Sequence, residues 1–301
     1  MTLPSDPTAP RPAPTPELGA DLRAAVAALA DRLRDRRVVA LTGAGVSTES
    51  GIPDYRSPEA LQRPRRPIHG PDFARSADLR RRYWARAMVG WERFGRARPG
   101  AAHDALARLE AHGPLAGLVT QNVDRLHHLA GSTRVVELHG ALAEVACLAC
   151  GEVEARDALQ ARLRAANDGW IDGAARSAPD GDADLDDAVI AAFLPPACLA
   201  CEGPLKPRVV FFGDNVPRPV VDQAFAMVDE ADALLVAGTS LAVFSGYHFL
   251  RRAAERGIPI AIVNRGPVRG EEQAAVKIEA STGAALAELA RRLTGPRTPA
   301  S

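Results

Sequence analysis

The sequence predicts an α/β protein, with a doubly wound parallel sheet and a second, smaller domain. Three features predict it. Short β-branched apolar runs alternate with helix-like stretches, most of these runs end in glycine or small polar residues, and four cysteines form two widely spaced C-x-x-C pairs. Continuous apolar strands are what a parallel sheet requires, because helices cover both of its faces. Polar strand ends then mark the edge where such Rossmann-like sheets hold ligands.

Along the chain, residues 1–18 are rich in proline and threonine, with no basic start and no apolar core. They read as a disordered lead and not as a secretory signal. Residues 20–36 (ADLRAAVAALADRLRDR) carry apolar positions at helical spacing, and a strand follows at 37–42. Further strand-like runs are LAGLVTQNVD (115–124), RVVFFGDN (208–215), ADALLVAGTS (231–240) and PIAIVNRG (259–266), with VVELHG (135–140) as another candidate. Two segments interrupt the alternation. Residues 57–99, rich in arginine and aromatics, read as a helical flap; residues 141–206 hold the cysteines and the acidic stretch APDGDADLDD, read as a solvated loop. The expected division is therefore 19–56, 100–140 and 207–296 for the large domain, and 57–99 with 141–206 for the small one, with a cleft between them.

The strand ends read Gly43–Ala44–Gly45, Gln121–Asn122–Val123–Asp124, Gly238–Thr239–Ser240 and Asn264–Arg265–Gly266. Turn chemistry alone often puts such residues at a strand end, but four polar ends on one sheet edge fit a long nucleotide. The first loop, LTGAGVSTESGIPDYRS (41–57), departs from the dehydrogenase fingerprint. That fingerprint wants a third glycine where this chain has Thr48, and an acid about 20 residues on, where the chain reads LQRPRRP. Gly43 and Gly45 would still let the backbone approach a diphosphate, and Ser47 and the backbone amides could donate to it. Ile52–Pro53–Asp54–Tyr55–Arg56 continues as a polar-ended flap.

Cys147, Cys150, Cys198 and Cys201 are the only cysteines. Without an export signal they read as a tetrathiolate zinc site before they read as disulfides. Four thiolates leave no open position on the metal, so one structural zinc is expected and metal-bound water chemistry is not. A formal net charge of zero gives no long-range attraction for nucleic acid or an anionic membrane. No apolar run is long enough to span a bilayer, so the expected compartment is the cytoplasm.

The segments GAGVSTESGIPDYR, TQNVDRLHHLAG, VVELHG, the cysteine pairs, KPRVVFFGDNVP, GTSLAVFSG and VNRGP occur in an order and spacing that resemble the sirtuins, the NAD-dependent protein-lysine deacylases. The likeness runs from about residue 30 to residue 290. Tyr55 and the runs RRYWARAMVGW and FSGYHF look like the class II branch that includes the mitochondrial sirtuin-four type. The resemblance implies NAD as co-substrate and a nicotinamide pocket of Ala44, Ile52, Asp54, Tyr55, Asn122 and Asp124; it adds Arg56 and Thr282 to the cofactor contacts. It also implies His139 as general base and Asn122 as its catalytic companion. A lone histidine at a strand end is ordinarily structural, and the motif reverses that reading; His103, His127 and His128 read as packing or capping residues. An acylated-lysine protein would be the partner, its chain adding to strand edges at FFGDN and LAVFSG, with Val210 and Phe211 lining a tunnel for the lysine stem. Tyr83 and Arg86, three apart on an expected helix, resemble the acidic-acyl readers of the family, since arginine can clamp a carboxylate. Protein mono-ADP-ribosylation shares the nicotinamide-expelling step and is the alternative reaction.

Overall fold

The computed structural model describes residues 12–54, 67–170 and 185–295. Its larger sheet has six strands: β1 (Val38–Thr42), β2 (Leu115–Thr120), β3 (Val135–Glu137), β7 (Ala233–Ala237), β8 (Ile260–Val263) and β9 (Val276–Ile278). All pairings are parallel, in the order β3-β2-β1-β7-β8-β9. The chain therefore winds outward from β1 in one direction, then restarts beside it at β7. That reversal is the Rossmann-like switch point, where the loops after the two central strands diverge and leave a crevice.

Every residue of β1 and β7 is buried, because helices lie on both faces. One face packs under α1 (Ala20–Leu33), α4 (Ala101–His112) and α10 (Thr282–Thr294), with Leu29, Leu106 and Leu289 in its core. In α1 the buried residues are Val26, Leu29, Ala30 and Leu33, a single stripe at helical spacing. The other face packs under α8 (Arg218–Asp229) and α9 (Phe244–Glu255), through Val228 and Phe249. Each fully buried leucine or phenylalanine stabilises the fold by roughly 1.5–3 kcal/mol.

A three-stranded antiparallel sheet, ordered β5-β4-β6, is formed by β4 (Gly140–Cys147), β5 (Val153–Ala155) and β6 (Leu205–Val209). Against it pack α2 (Gly70–Arg75), α3 (Ala77–Phe94), α6 (Arg156–Ala166) and α7 (Asp187–Ala191), burying Phe73, Trp84, Leu159 and Phe193. Arg156 is buried between the Trp84 and Trp91 rings, 5.6 and 4.8 Å from their centres, and donates to the Ala87 carbonyl. The guanidinium thus joins the flap helix α3 to α6.

Two expected strands differ in the structure. The run 208–215, read with the parallel strands, contributes only its start to a strand, and that strand pairs antiparallel with β4. Leu205, Pro207 and Val209 face inward while Arg208 faces out, the alternation of a sheet with one wet face; the continuous VVFF masked it. The LAVFSG segment is not a strand edge either. From Phe244 it becomes α9, whose buried Gly246, Phe249, Leu250 and Ala253 recur at helical spacing. In the lead read as disordered, residues 12–18 are described: Leu18 packs against the core and the Ala13 amide donates to the Glu49 carbonyl. Most of the acidic stretch 178–187 lies outside the described residues, as do Tyr55 and Arg56.

Candidate active site and metal centre

The loops after β1, β2 and β7 meet at the switch point. The Gly45 amide donates to the Gly238 carbonyl at 2.8 Å. A Cβ on Gly45 would lie 2.8 Å from Gly238 Cα and 2.9 Å from its carbonyl oxygen, so only glycine lets these backbones touch. Gly238 itself has φ +60°, a left-handed conformation. Thr282, at the start of α10, donates its hydroxyl to the Gly45 carbonyl at 3.0 Å, and Gln121 Nε2 donates to Thr239 Oγ1 at 2.9 Å. Gly43, Gly45, Gln121, Gly238, Thr239 and Thr282 are therefore one hydrogen-bonded edge.

Asn122 is buried and donates through Nδ2 to the Gly43 carbonyl (3.1 Å) and to Ser47 Oγ (3.0 Å). Ser47 gives its own proton to Asp124 Oδ2 at 2.7 Å. Asp124 Oδ1 accepts the Leu126 amide at 2.9 Å, so this carboxylate holds the first amide of α5 (Leu126–Leu129) while facing Ser47. The Ser47 hydroxyl is thus committed within the protein, where the sequence reading had it donating to a diphosphate. Behind it lies His103, fully buried. Its Nδ1 accepts the Gly100 amide (3.1 Å), so the neutral ring carries its proton on Nε2, 3.3 Å from Ser47 Oγ. His103 caps α4, as expected, and also supports Ser47; no local motif signals that second contact. His127 stacks edge-on against His103 and meets Thr42 Oγ1 at 3.0 Å. Burial lowers the affinity of both rings for a proton, His127 most strongly.

Val123 gives its carbonyl to the Leu142 amide, tying this turn to β4. The next residues repeat the tie with charge. Arg125 sits at φ +60°, costly for a side chain with a Cβ, and pairs with Glu144 at 2.8 Å. Ile52 is buried beside Ser47, whose carbonyl accepts its amide, and Ala44 begins the short turn that leads into Ser47. Asp54 ends the described part of the flap. Farther along the edge, Asn264 closes its own turn by donating to the Arg265 and Gly266 carbonyls. Arg265 points to solvent, and Ser240 accepts the Arg269 amide.

His139 follows β3 and lies between two segments. Its carbonyl accepts the Val210 amide, and Nε2 lies 2.8 Å from Ser245 Oγ, at the start of α9. Nδ1 lies 2.9 Å from the Gln121 carbonyl. A carbonyl can only accept, so Nδ1 carries the proton and Nε2 presents a lone pair, to which the Ser245 hydroxyl donates. Burial lowers the pKa of the ring and the Gln121 bond partly opposes this. The result is a neutral base of fixed tautomer, bonded to the two segments that carry exposed Phe212, Val243 and Phe244. Ser245 went unnoticed in the sequence because LAVFSG read as a strand edge, whereas the helix that begins at Phe244 is what brings the serine to His139.

Val210 and Phe211 lie beside His139, half-buried. Phe211 packs on Phe73 and Tyr83, at ring distances of 5.2 and 5.8 Å. Tyr83 is buried in that aromatic cluster, and Arg86 lies one turn on in α3, with an Nε that is buried and lacks a hydrogen-bond partner among the described residues.

The four cysteine sulfurs lie within 4.8 Å of one another. Cys147 and Cys201 are 3.6 Å apart, Cys150 and Cys198 3.7 Å. A tetrahedral zinc with bonds of about 2.3 Å sets its sulfurs about 3.8 Å apart, so the four are arranged to hold one zinc ion. The cluster sits at the end of β4, the strand that begins immediately after His139, with Cys147 and Cys198 buried.

Comparison with known proteins agrees with this geometry. The model of the Sir2 family matches residues 43–245. The chain is 51% identical over 256 residues to an NAD-dependent protein deacetylase of Xanthomonas campestris pv. campestris (strain 8004), covering 85% of this chain and 87% of that one. It is 49% identical over 254 residues to the mitochondrial NAD-dependent protein lipoamidase sirtuin-4 of Bos taurus, covering 83% and 81%. Among solved structures, a Sir2–p53 peptide–NAD+ complex superposes with a TM-score of 0.70 at 29% identity, over 88% of this chain and 95% of that one. With a glycine-lined switch point, a buried Asn122–Ser47–Asp124 network, a lone-pair histidine and a thiolate tetrad in the family's order, the chain belongs to the Sir2 family.

Proposed function

We propose that this protein removes acyl groups from protein lysine at the expense of NAD, yielding nicotinamide, free lysine and O-acyl-ADP-ribose. The observation that carries this reading is His139: a neutral base with its lone pair on Nε2, hydrogen-bonded to the Asn122 loop through Gln121. When bound, NAD supplies a ribose whose bond to nicotinamide is broken as the acyl oxygen takes its place. Gly43, Ala44 and the Thr239–Ser240 turn would hold its diphosphate, with Gly45 and Gly238 keeping that edge closed through their own backbone bond. Asn264, Arg265, Gly266 and Thr282 would take the far end, and Gln121, Val123, Asp124, Ile52 and Asp54 would enclose the nicotinamide end. Asn122 is fixed by its two Nδ2 bonds to Gly43 and Ser47, which leaves its amide oxygen for the ligand, so little reorganisation is needed. His139 then withdraws a ribose hydroxyl proton at Nε2, its Nδ1 remaining on Gln121.

The substrate chain enters between the Val210–Phe212 and Leu241–Ser245 segments. Val210 and Phe211 flank the lysine stem, and Arg86 beside Tyr83 takes an acidic acyl end; the unsatisfied Arg86 Nε supports this. Zinc organises the small sheet and takes no part in bond breaking. The reaction runs in the cytoplasm without nucleic acid or membrane; no described helix is long and apolar enough to cross a bilayer. Mass spectrometry of products from an acylated peptide and NAD tests the reading. O-acyl-ADP-ribose is expected, and ADP-ribose left on the peptide would overturn it in favour of ADP-ribosyl transfer.

A further inference from the structure

Arg269, beside Phe244 and the His139 site, has no ion-pair partner among the described residues. Arg269 lies over two rings of α9, its Cζ 5.0 Å from the Phe244 centroid and 4.4 Å from that of Tyr247. Its backbone is fixed as well: the amide donates to the Ser240 carbonyl at 2.9 Å. The next residue, Gly270, has φ +82°, and a Cβ there would fall 2.8 Å from Tyr247 Cε2 and 3.0 Å from Leu250 Cδ2. The glycine thus lets the chain press against α9 and seats the guanidinium on the rings.

Nearby acids are engaged elsewhere. Glu271 accepts Lys277 at 2.7 Å and the Val268 amide at 2.8 Å, and Glu255 pairs with Arg251. Lys206, over the Phe211 ring, is by contrast neutralised by Asp214 at 3.2 Å. A stacked guanidinium keeps its N–H edge free for a carboxylate, and its conformational freedom is already lost before any partner binds. Phe244, half-exposed at 47%, adjoins Ser245, which touches the His139 base.

We infer that Arg269 is a specificity subsite for an acidic side chain of the substrate, flanking the acyl-lysine on the Phe244 side of the site. This rests on the deacylase reading of the same site and narrows its substrate class to acyl-lysines in acidic surroundings. The cation–π seat fixes where the charge is; the peptide carboxylate completes the pair.

The test uses acyl-lysine peptides that differ only in carrying Glu, Gln or Lys at successive flanking positions, with nicotinamide release as the readout. For each enzyme the kcat/KM ratio between Glu and Gln peptides is compared, so a general loss of activity cancels. In the unmodified protein the Glu peptide is favoured about three- to fivefold at one flank, through KM, as for a modest exposed ion pair. The preference shrinks with added salt. Arg269→Gln removes it and Arg269→Glu shifts it toward Lys peptides. A preference that survives Arg269→Gln, or is absent from the start, overturns the inference while leaving the deacylase reading intact. A rise in KM for NAD with the peptide ratio unchanged also overturns it, since Arg269 would then serve the cofactor. No nicotinamide release with any peptide removes the deacylase reading and this inference together.

Discussion

His139 owes its basicity to its neighbours. The Gln121 carbonyl fixes the proton on Nδ1, and burial keeps the ring neutral near neutral pH. Replacing it should therefore remove chemistry and spare binding: His139→Ala is expected to lower kcat by about 10²–10⁴-fold, with NAD affinity by calorimetry nearly unchanged. Equal loss in both would make His139 a packing residue. A base works only when unprotonated, and its folded pKa lies below the ordinary 6.5. The kcat/KM profile should thus stay flat down through 6.5 and fall only at more acidic pH. A fall already centred above 6.5 would contradict the buried, lowered ring. At Gly45 the constraint is steric, and Gly45→Ala must separate two backbones. A loss of about 1–3 kcal/mol in stability, as for overpacking, should accompany weaker NAD binding in denaturation and binding titrations.

Among the elements, the turn from β2 into α5 carries the most function in the least chain. Its Asn122, Asp124 and Arg125 point to Ser47, to the helix amides and to Glu144 respectively. Under it the buried rings of His103 and His127 couple the site to stability. Both bind protons less readily in the fold than in the unfolded chain, where the ordinary value is 6.5. Below that pH the unfolded state takes up more protons, so stability is fully present above 6.5 and drains away as pH falls toward the lower folded values. Thermal melts from pH 8 to 5 should show this decline, and it should be shallower in His127→Gln; parallel slopes would exclude the ring as its source. These contacts were only partly legible in the sequence. Asn122 and Asp124 share a short segment and a motif, whereas His103 reaches Ser47 from another helix, 56 residues away in the chain. Pairings of that kind exist only once the sheet has set β1 beside β2.

Over the whole molecule, the strands of the parallel sheet were legible because burial on both faces writes itself as unbroken Val, Leu, Ile and Ala. The exceptions have the same cause. Val276–Ile278 is too short and too polar at Lys277 to show as a run, and VVFF hides the alternation of β6. The cysteine pairs could be read directly, since four thiols are useful together only when they converge. Their convergence ties the end of β4 to the turn that leads into β6, so Cys147→Ser should lose the bound zinc, counted as one ion per chain by elemental analysis, and abolish cooperative melting of the small lobe. A zinc-free variant with unchanged melting would show that aromatic packing suffices. The reaction itself unites both lobes, because the glycine-lined crevice and the His139 site must act on one dinucleotide and one acyl-lysine at once. The most direct measurement is to incubate the purified protein with NAD and an acylated peptide and follow nicotinamide, peptide mass and absorbance of reduced cofactor together. Nicotinamide and deacylated peptide should appear in equal amounts with no reduced cofactor; formation of NADH, or NAD left intact beside any acylated peptide, would contradict the account.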